Sequence, residues 1–292
     1  MTAVTTGSEA DAAPGQESKL TTRDGLSLHV EAWGPPAGGK LVAAAVMVHG
    51  FSAHLGNYRH VARRLAGTGI ATWLYDSRGH GRSQGRHGFV RRFSDYSDDL
   101  GLVLAAARAG APGVPVVLIG HSQGGTVALD YATSEREPVK ALVLAAPWLA
   151  LNIKVPGIKR LLARLMGGIW PTLTMGNEIK PEQVFRDPDA IARWQADPLI
   201  RHVAAPRWFN EVRATQARII AEPEKLKVPT LLLAAGDDRL VSTAAALAFA
   251  KAVGPTVEVR AYAGVTHEIF LDPERDTVLT DIAGWITRRL GA

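Results

Sequence analysis

The chain has 292 residues, 47% hydrophobic and 21% charged, which suits one large core, with or without an insertion. It contains no cysteine, and that excludes a disulfide framework, a thiolate zinc site and a cysteine nucleophile. Its net charge of +5 comes from basic residues scattered among acids, without a basic run interleaved with aromatics, so nucleic acid is not an expected partner.

Residues 1–18 carry neither a positively charged n-region nor an apolar h-region, and they are expected to form a disordered tail rather than a secretory signal. "GLSLHVEAWG" then alternates Leu26, Leu28, Val30 and Ala32 with polar residues, the pattern of a half-buried antiparallel edge strand. "LVAAAVMVHG" is a continuous apolar run ending in glycine, as expected of a strand covered on both faces. "YRHVARRLAGTG" has helical spacing and a terminal glycine, and "IATWLYD" reads as the next strand.

The rhythm repeats with a helix over "FSDYSDDLGLVLAAARAGAPG", a strand over "VPVVLIG", a helix over "GGTVALDYATSE" and a strand over "VKALVLAAP". Buried strands alternating with amphipathic helices predict an α/β protein with a mostly parallel sheet. Between residues 148 and 221 the rhythm stops, and Pro156, Pro171, Pro181, Pro188, Pro198 and Pro206 punctuate short helical pieces. This stretch is expected to be a helical cap inserted into a core made of residues 19–147 and 222–292. "VPTLLLAAG", "TAAALAFAKAVG", "TVEVRAYAG" and "DTVLTDIAGWITRRL" complete the core as strand, helix, strand and helix. No stretch reaches the roughly 18 apolar residues of a membrane-spanning helix, and a soluble, cytoplasmic protein is expected.

Within the cap, Ile158, Leu161, Leu162, Leu165 and Ile169 fall on one helical stripe, with Lys159, Arg160 and Arg164 elsewhere around the helix. The stripe is expected to pack onto the core; the alternative is a lid that lines an acyl tunnel or touches a lipid surface transiently. Four of the seven tryptophans, Trp148, Trp170, Trp194 and Trp208, also lie here, suiting either a cap core or a hydrophobic ester.

Gly120, Ser122 and Gly124 in "GHSQGG" sit where a predicted strand turns into a predicted helix, the setting of a G-x-S-x-G nucleophile elbow. Glycines are needed because the turn is tight and side chains there would meet the strand and helix. A serine hydroxyl needs a base, and the base needs an acid to hold its tautomer. Asp237 and Asp238 follow one buried strand and His267 follows the next, giving the order serine, acid, histidine. His29, His49, His54, His60, His80, His87, His121 and His202 all precede the aspartates, so chain order selects His267. Backbone N–H groups of Phe51, in "VHGF", and of Gln123 are the expected oxyanion donors. None of this chemistry requires a metal or cofactor.

From Gly25 to Leu290 the chain resembles the monoacylglycerol lipase and lysophospholipase branch of the α/β-hydrolases. The resemblance rests on "HGFSAHLGNYRHVARRLAGTGI", "YDSRGHGRSQGRHGFV", "FSDYSDDL", "GHSQGG", "ADPLI", "GDDRLVS" and "GVTHEIFLDPERDTVL". It implies the α/β-hydrolase fold with a helical cap, and Asp238 as the acid because "DRLV" matches the branch pattern, with Asp237 as its neighbour. It further implies hydrolysis of single-chain lipid esters, most of all monoacylglycerols, to fatty acid and glycerol. Lysophospholipase, general carboxylesterase and acyltransferase activities are the alternatives, and a non-catalytic small-molecule receptor is the alternative of another class. "DSRGHGRS" is implied to be structural, so Asp76, Arg78 and His80 are not expected in the reaction. Two departures stand out. The branch pattern HGxxEHxxRY has Ala53 and Asn57 here in place of Glu and Arg, so its headgroup contacts differ, and Gln123 replaces the methionine of GHSMGG, implying a more polar pocket floor.

Overall fold

The computed structural model describes residues 15–152 and 157–291. Its first elements are strands β1 (Gln16–Thr21), β2 (Ser27–Trp33) and β3 (Ala43–Val48), a 3₁₀ turn at Leu55–Tyr58, helix α1 (Arg59–Ala66) and β4 (Ile70–Tyr75). Helix α2 (Ser94–Gly110), β5 (Val116–His121), α3 (Gln123–Ala132) and β6 (Ala141–Ala145) follow. A mainly helical segment then holds α4 (Gly157–Ile169), β7 (Met175–Gly176), α5 (Pro181–Val184), α6 (Pro188–Ala196), β8 (Val203–Ala204) and α7 (Pro206–Ala221). The chain closes with β9 (Thr230–Ala235), α8 (Thr243–Val253), β10 (Val257–Tyr262) and α9 (Arg275–Leu290).

Eight strands form one sheet in the order β1-β2-β4-β3-β5-β6-β9-β10. The β1–β2 and β2–β4 pairs are antiparallel and the remaining pairs are parallel. The apolar runs explain the central position of β3, β5, β6 and β9, every residue of which is buried. Side chains alternate across a strand, so Ala43, Ala45 and Met47 of β3 join α1 and α9 in one core. Ala44, Val46 and Val48 face the other way, into a core with α2 and α3. Strand β5 thus lies between β3 and β6, and the loops that follow the parallel strands open at a single edge. Among the described residues, no helix is long and apolar enough to cross a membrane.

Two expectations are corrected. Residues 1–14 of the expected tail lie outside the described residues, but residues 16–18, assigned to that tail, belong to β1. Strand β2 is therefore an interior strand rather than the edge, and its polar His29 and Glu31 are buried as well as Leu28, Val30 and Trp33. Burial opposes the charge of Glu31, yet the Arg59 guanidinium, with Nε donating to Oε2 at 2.9 Å, holds its pKa below the usual carboxylate value. That pairing lets a charged side chain occupy an interior strand.

The apolar stripe of α4 does not pack onto the core. Ile158, Leu161, Leu162, Leu165 and Ile169 are all more than half exposed, and Trp170 just beyond them is 57% exposed. The side chains of Lys159 and Arg160 lie outside the described residues. The inner side of α4 rests on α7, where Gly167 is buried against Asn210 and Arg207 and Asn210 Nδ2 donates to the Ala163 carbonyl at 2.8 Å.

Candidate active site

Strand β5 delivers Ser122 at the first turn of α3 with φ 53° and ψ −118°, a conformation that L residues other than glycine seldom adopt. Its neighbours explain why the glycines are needed. A Cβ on Gly120 would stand 2.5 Å from the Gly124 carbonyl oxygen, and one on Gly124 would stand 2.1 Å from that of Val48. A Cβ on Gly125 would meet Pro147 at 2.8 Å. The elbow is thus closed on three sides by the backbone of α3, the backbone of β3 and the loop after β6, and the Ser122 N–H is anchored to the Ala145 carbonyl at 3.1 Å.

Asp238 follows β9, and its Oδ1 accepts the backbone N–H groups of Leu240 and Val241 at 2.9 and 2.8 Å. The other oxygen, Oδ2, lies 2.7 Å from His267 Nδ1, and His267 Nε2 lies 2.8 Å from Ser122 Oγ. All three residues are buried. With the imidazole proton on Nδ1, His267 donates to Asp238 and Ser122 donates to His267, a continuous chain. Burial disfavours the imidazolium, but the Asp238 carboxylate outweighs it and holds the His267 pKa above the usual value. Asp237 takes no part in this chain, since its side chain pairs with Arg239 at the surface.

The loop after β3 passes directly over Ser122, and a Cβ on Gly50 would stand 3.2 Å from Ser122 Cβ. Backbone N–H groups of Phe51 and Gln123 meet no protein acceptor among the described residues. The Gln123 side chain is buried and does not line the cavity beside Ser122, which corrects the expectation of a more polar pocket floor.

That cavity has a volume of about 1270 Å³ and runs from Ser122 and His267 toward α4. Its walls are largely apolar, with Phe51, Trp148, Leu162, Met166, Trp194 and Trp208 among them. Trp208 stacks on Phe51 with centroids 4.0 Å apart. Of the four tryptophans singled out by sequence, three line the cavity and Trp170 stands in solvent. Ala53 and Asn57, the two departures in the loop after β3, both line it. His54 between them caps the 3₁₀ turn by accepting the Gly56 N–H at Nδ1, so its Nε2–H donates to Asp197 of the helical segment at 2.8 Å.

The "DSRGHGRS" stretch does scaffolding work. Asp76 accepts the backbone N–H groups of Leu55 and Arg82, and Arg78 binds both oxygens of buried Asp99 at 2.7 Å and also pairs with Asp24. Hydrogen bonds from Arg78 and Thr22 lower the Asp24 pKa to about 2. His80 is wholly buried, which keeps its imidazole neutral well below the usual pKa. Chain order set His121 aside as a base, and its Nε2–H donates to the His267 carbonyl at 3.0 Å, bracing the loop that carries His267. Its position beside Ser122 was the available signal.

A serine, histidine and aspartate in hydrogen-bonded sequence, with the serine on a strained strand-to-helix turn of a parallel sheet, define a serine hydrolase of the α/β-hydrolase fold. The family model described as serine aminopeptidase, S33, matches residues 39–274. The chain belongs to that family and, within the α/β-hydrolases, to the monoacylglycerol lipase branch. It is 29% identical to the monoacylglycerol lipase of Mycolicibacterium smegmatis over 91% of this chain and 95% of that one. It is 31% identical to the phospholipase YtpA of Bacillus subtilis over 81% of this chain and 92% of that one. Among solved structures, the monoacylglycerol lipase of Paleococcus ferrophilus superposes with a TM-score of 0.81 at 27% identity, covering 90% of this chain and 99% of that one.

Proposed function

We propose that the protein is a carboxylic ester hydrolase of single-chain lipids, acting above all on monoacylglycerols and releasing fatty acid and glycerol through an acyl-enzyme. The observation that carries this reading is the Ser122–His267–Asp238 chain at the floor of a long apolar cavity. The names of the Mycolicibacterium and Paleococcus relatives support the substrate class.

In this reading Ser122 Oγ attacks the ester carbonyl while His267 Nε2 takes its proton. Asp238 holds the imidazole with its other proton on Nδ1 and stabilises the imidazolium that forms. The Phe51 and Gln123 N–H groups receive the oxyanion, each contributing about 3 kcal/mol of transition-state stabilisation. His267 then protonates the departing alcohol, and water repeats the cycle on the acyl-enzyme. The acyl chain lies along Phe51, Trp148, Trp194 and Trp208, where burial favours it by about 0.8 kcal/mol per methylene.

Residues 148–221 act as a cap over the site in this reading. The exposed stripe of α4 beside the cavity wall makes transient contact with the lipid surface from which substrate is drawn.

A fluorophosphonate probe and a panel of acylglycerols, lysophospholipids and p-nitrophenyl esters of graded length test the proposal. Labelling at Ser122 with fastest turnover on long-chain monoacylglycerols is expected. Absence of both labelling and ester cleavage overturns the hydrolase reading, and faster turnover of lysophospholipids overturns the substrate assignment.

A further inference from the structure

The loop after β3 carries a second strained residue besides Ser122. Ser52 has φ 54°, in the region that favours glycine, yet it is buried. Both its hydroxyl and its carbonyl are engaged by the segment between β6 and β9. Asn177 Nδ2 donates to Ser52 Oγ at 3.0 Å, Ser52 Oγ donates to the Arg201 carbonyl at 3.1 Å, and Trp194 Nε1 donates to the Ser52 carbonyl at 3.1 Å. These partners lie 125 to 149 residues away in sequence, so the conformation of Ser52 is imposed by tertiary contacts rather than by local preference.

Those contacts bear on Phe51. On one side, Gly50 is pressed against Ser122; on the other, Ser52 is fixed by the three hydrogen bonds; and the Phe51 ring itself is stacked on Trp208 of α7. The direction of the Phe51 N–H is therefore set between two clamps, of which one belongs entirely to the helical segment. Asn177 is in turn tied to the same segment by its N–H to the His202 carbonyl at 3.0 Å.

We propose that Asn177 and Trp194 are positioning residues for the oxyanion hole, acting through Ser52 to aim the Phe51 N–H at the reacting carbonyl. The helical segment then completes the catalytic apparatus as well as walling the cavity. A preorganised donor counts most in the transition state, so loss of either clamp lowers kcat rather than weakening ground-state binding. This inference rests on the reading of Phe51 as an oxyanion donor.

The test uses the full-length enzyme with Trp194→Phe, which keeps an aromatic ring and removes only the Nε1–H, with Asn177→Ala, with Ser52→Ala, and with Ser52→Ala and Asn177→Ala combined. The readouts are kcat and KM on p-nitrophenyl butyrate and the inhibition constant of a trifluoromethyl ketone, which forms a tetrahedral adduct with a serine hydroxyl. Each single variant is expected to lose about threefold to tenfold in kcat, as for one hydrogen bond, with KM changed by less than about twofold. The ketone's inhibition constant should rise by the same factor as kcat/KM falls. The combined variant should lose less than the product of the single losses, because both remove the same bond. A rise in KM at constant kcat, or a fall in kcat with unchanged ketone affinity, overturns the proposal. If the wild-type enzyme forms no ketone adduct, the active-site reading has failed; if it does and the variants bind the ketone as tightly, the positioning role alone has failed.

Discussion

Replacing Asp238 by asparagine isolates the tautomer of His267 with little change to the surrounding structure. Asp238 Oδ1 already accepts from Leu240 and Val241, so the amide oxygen of the variant keeps those bonds and its NH₂ turns toward His267 Nδ1. The imidazole must then accept at Nδ1 and carry its proton on Nε2, the atom 2.8 Å from Ser122 Oγ. A protonated Nε2 cannot take the serine proton, and turnover is expected to fall by about 10⁴-fold, equivalent to about 5.4 kcal/mol of barrier. Initial rates on p-nitrophenyl butyrate, with a thermal melt as control, measure it. The melting temperature should move little because the loop keeps its backbone bonds. Asp237→Asn is the internal comparison, since that carboxylate pairs with Arg239 at the surface, and it should leave activity within about twofold. Retention of more than about a tenth of wild-type turnover by Asp238→Asn, or equal damage from Asp237→Asn, would refute the reasoning.

The activity profile against pH follows from the same histidine. Catalysis needs His267 unprotonated, and its raised pKa means that kcat/KM falls as pH drops through a value above the ordinary imidazole pKa of about 6.5; a limb centred below that value sinks the assignment. Leu161→Ser combined with Leu165→Ser, which alters exposed side chains that do not line the cavity, should cut hydrolysis of monooleoylglycerol in vesicles by about tenfold or more. It should leave hydrolysis of dissolved p-nitrophenyl acetate unchanged, and equal loss on both substrates counts against surface contact. Arg78→Met strands the buried Asp99 carboxylate and should destabilise the fold by about 3 kcal/mol in urea unfolding. The exposed Arg82–Glu17 pair serves as comparison, with Arg82→Met expected to cost less than about 1 kcal/mol.

The parallel strands were legible because strands buried on both faces must be apolar throughout, and "AAAVMV" and "TLLLAA" have no other simple reading. The meeting of Ser122, Asp238 and His267 was legible because three residue types stand in a fixed order after strands β5, β9 and β10. Strand β1 was not, since "QESKLT" is mostly exposed and pairs with β2 through its backbone, which leaves little hydropathy signal. The amphipathic period of α4 announced an apolar face without saying what the face would meet. Ser52 was invisible for a different reason: a serine in a loop has no local mark, and its importance arises from Asn177, Trp194 and Arg201, more than a hundred residues away.

The exposed stripe of α4 also carries a thermodynamic signature. Five large apolar side chains, each more than half exposed, order the water around them, and any oil-like surface that covers them releases it. At room temperature that release is driven by entropy, and it lowers the heat capacity. Adsorption of the protein to such a surface therefore strengthens on warming from the cold, and titration calorimetry at several temperatures should give an enthalpy that grows steadily more negative, a mark that attraction between charges alone does not leave.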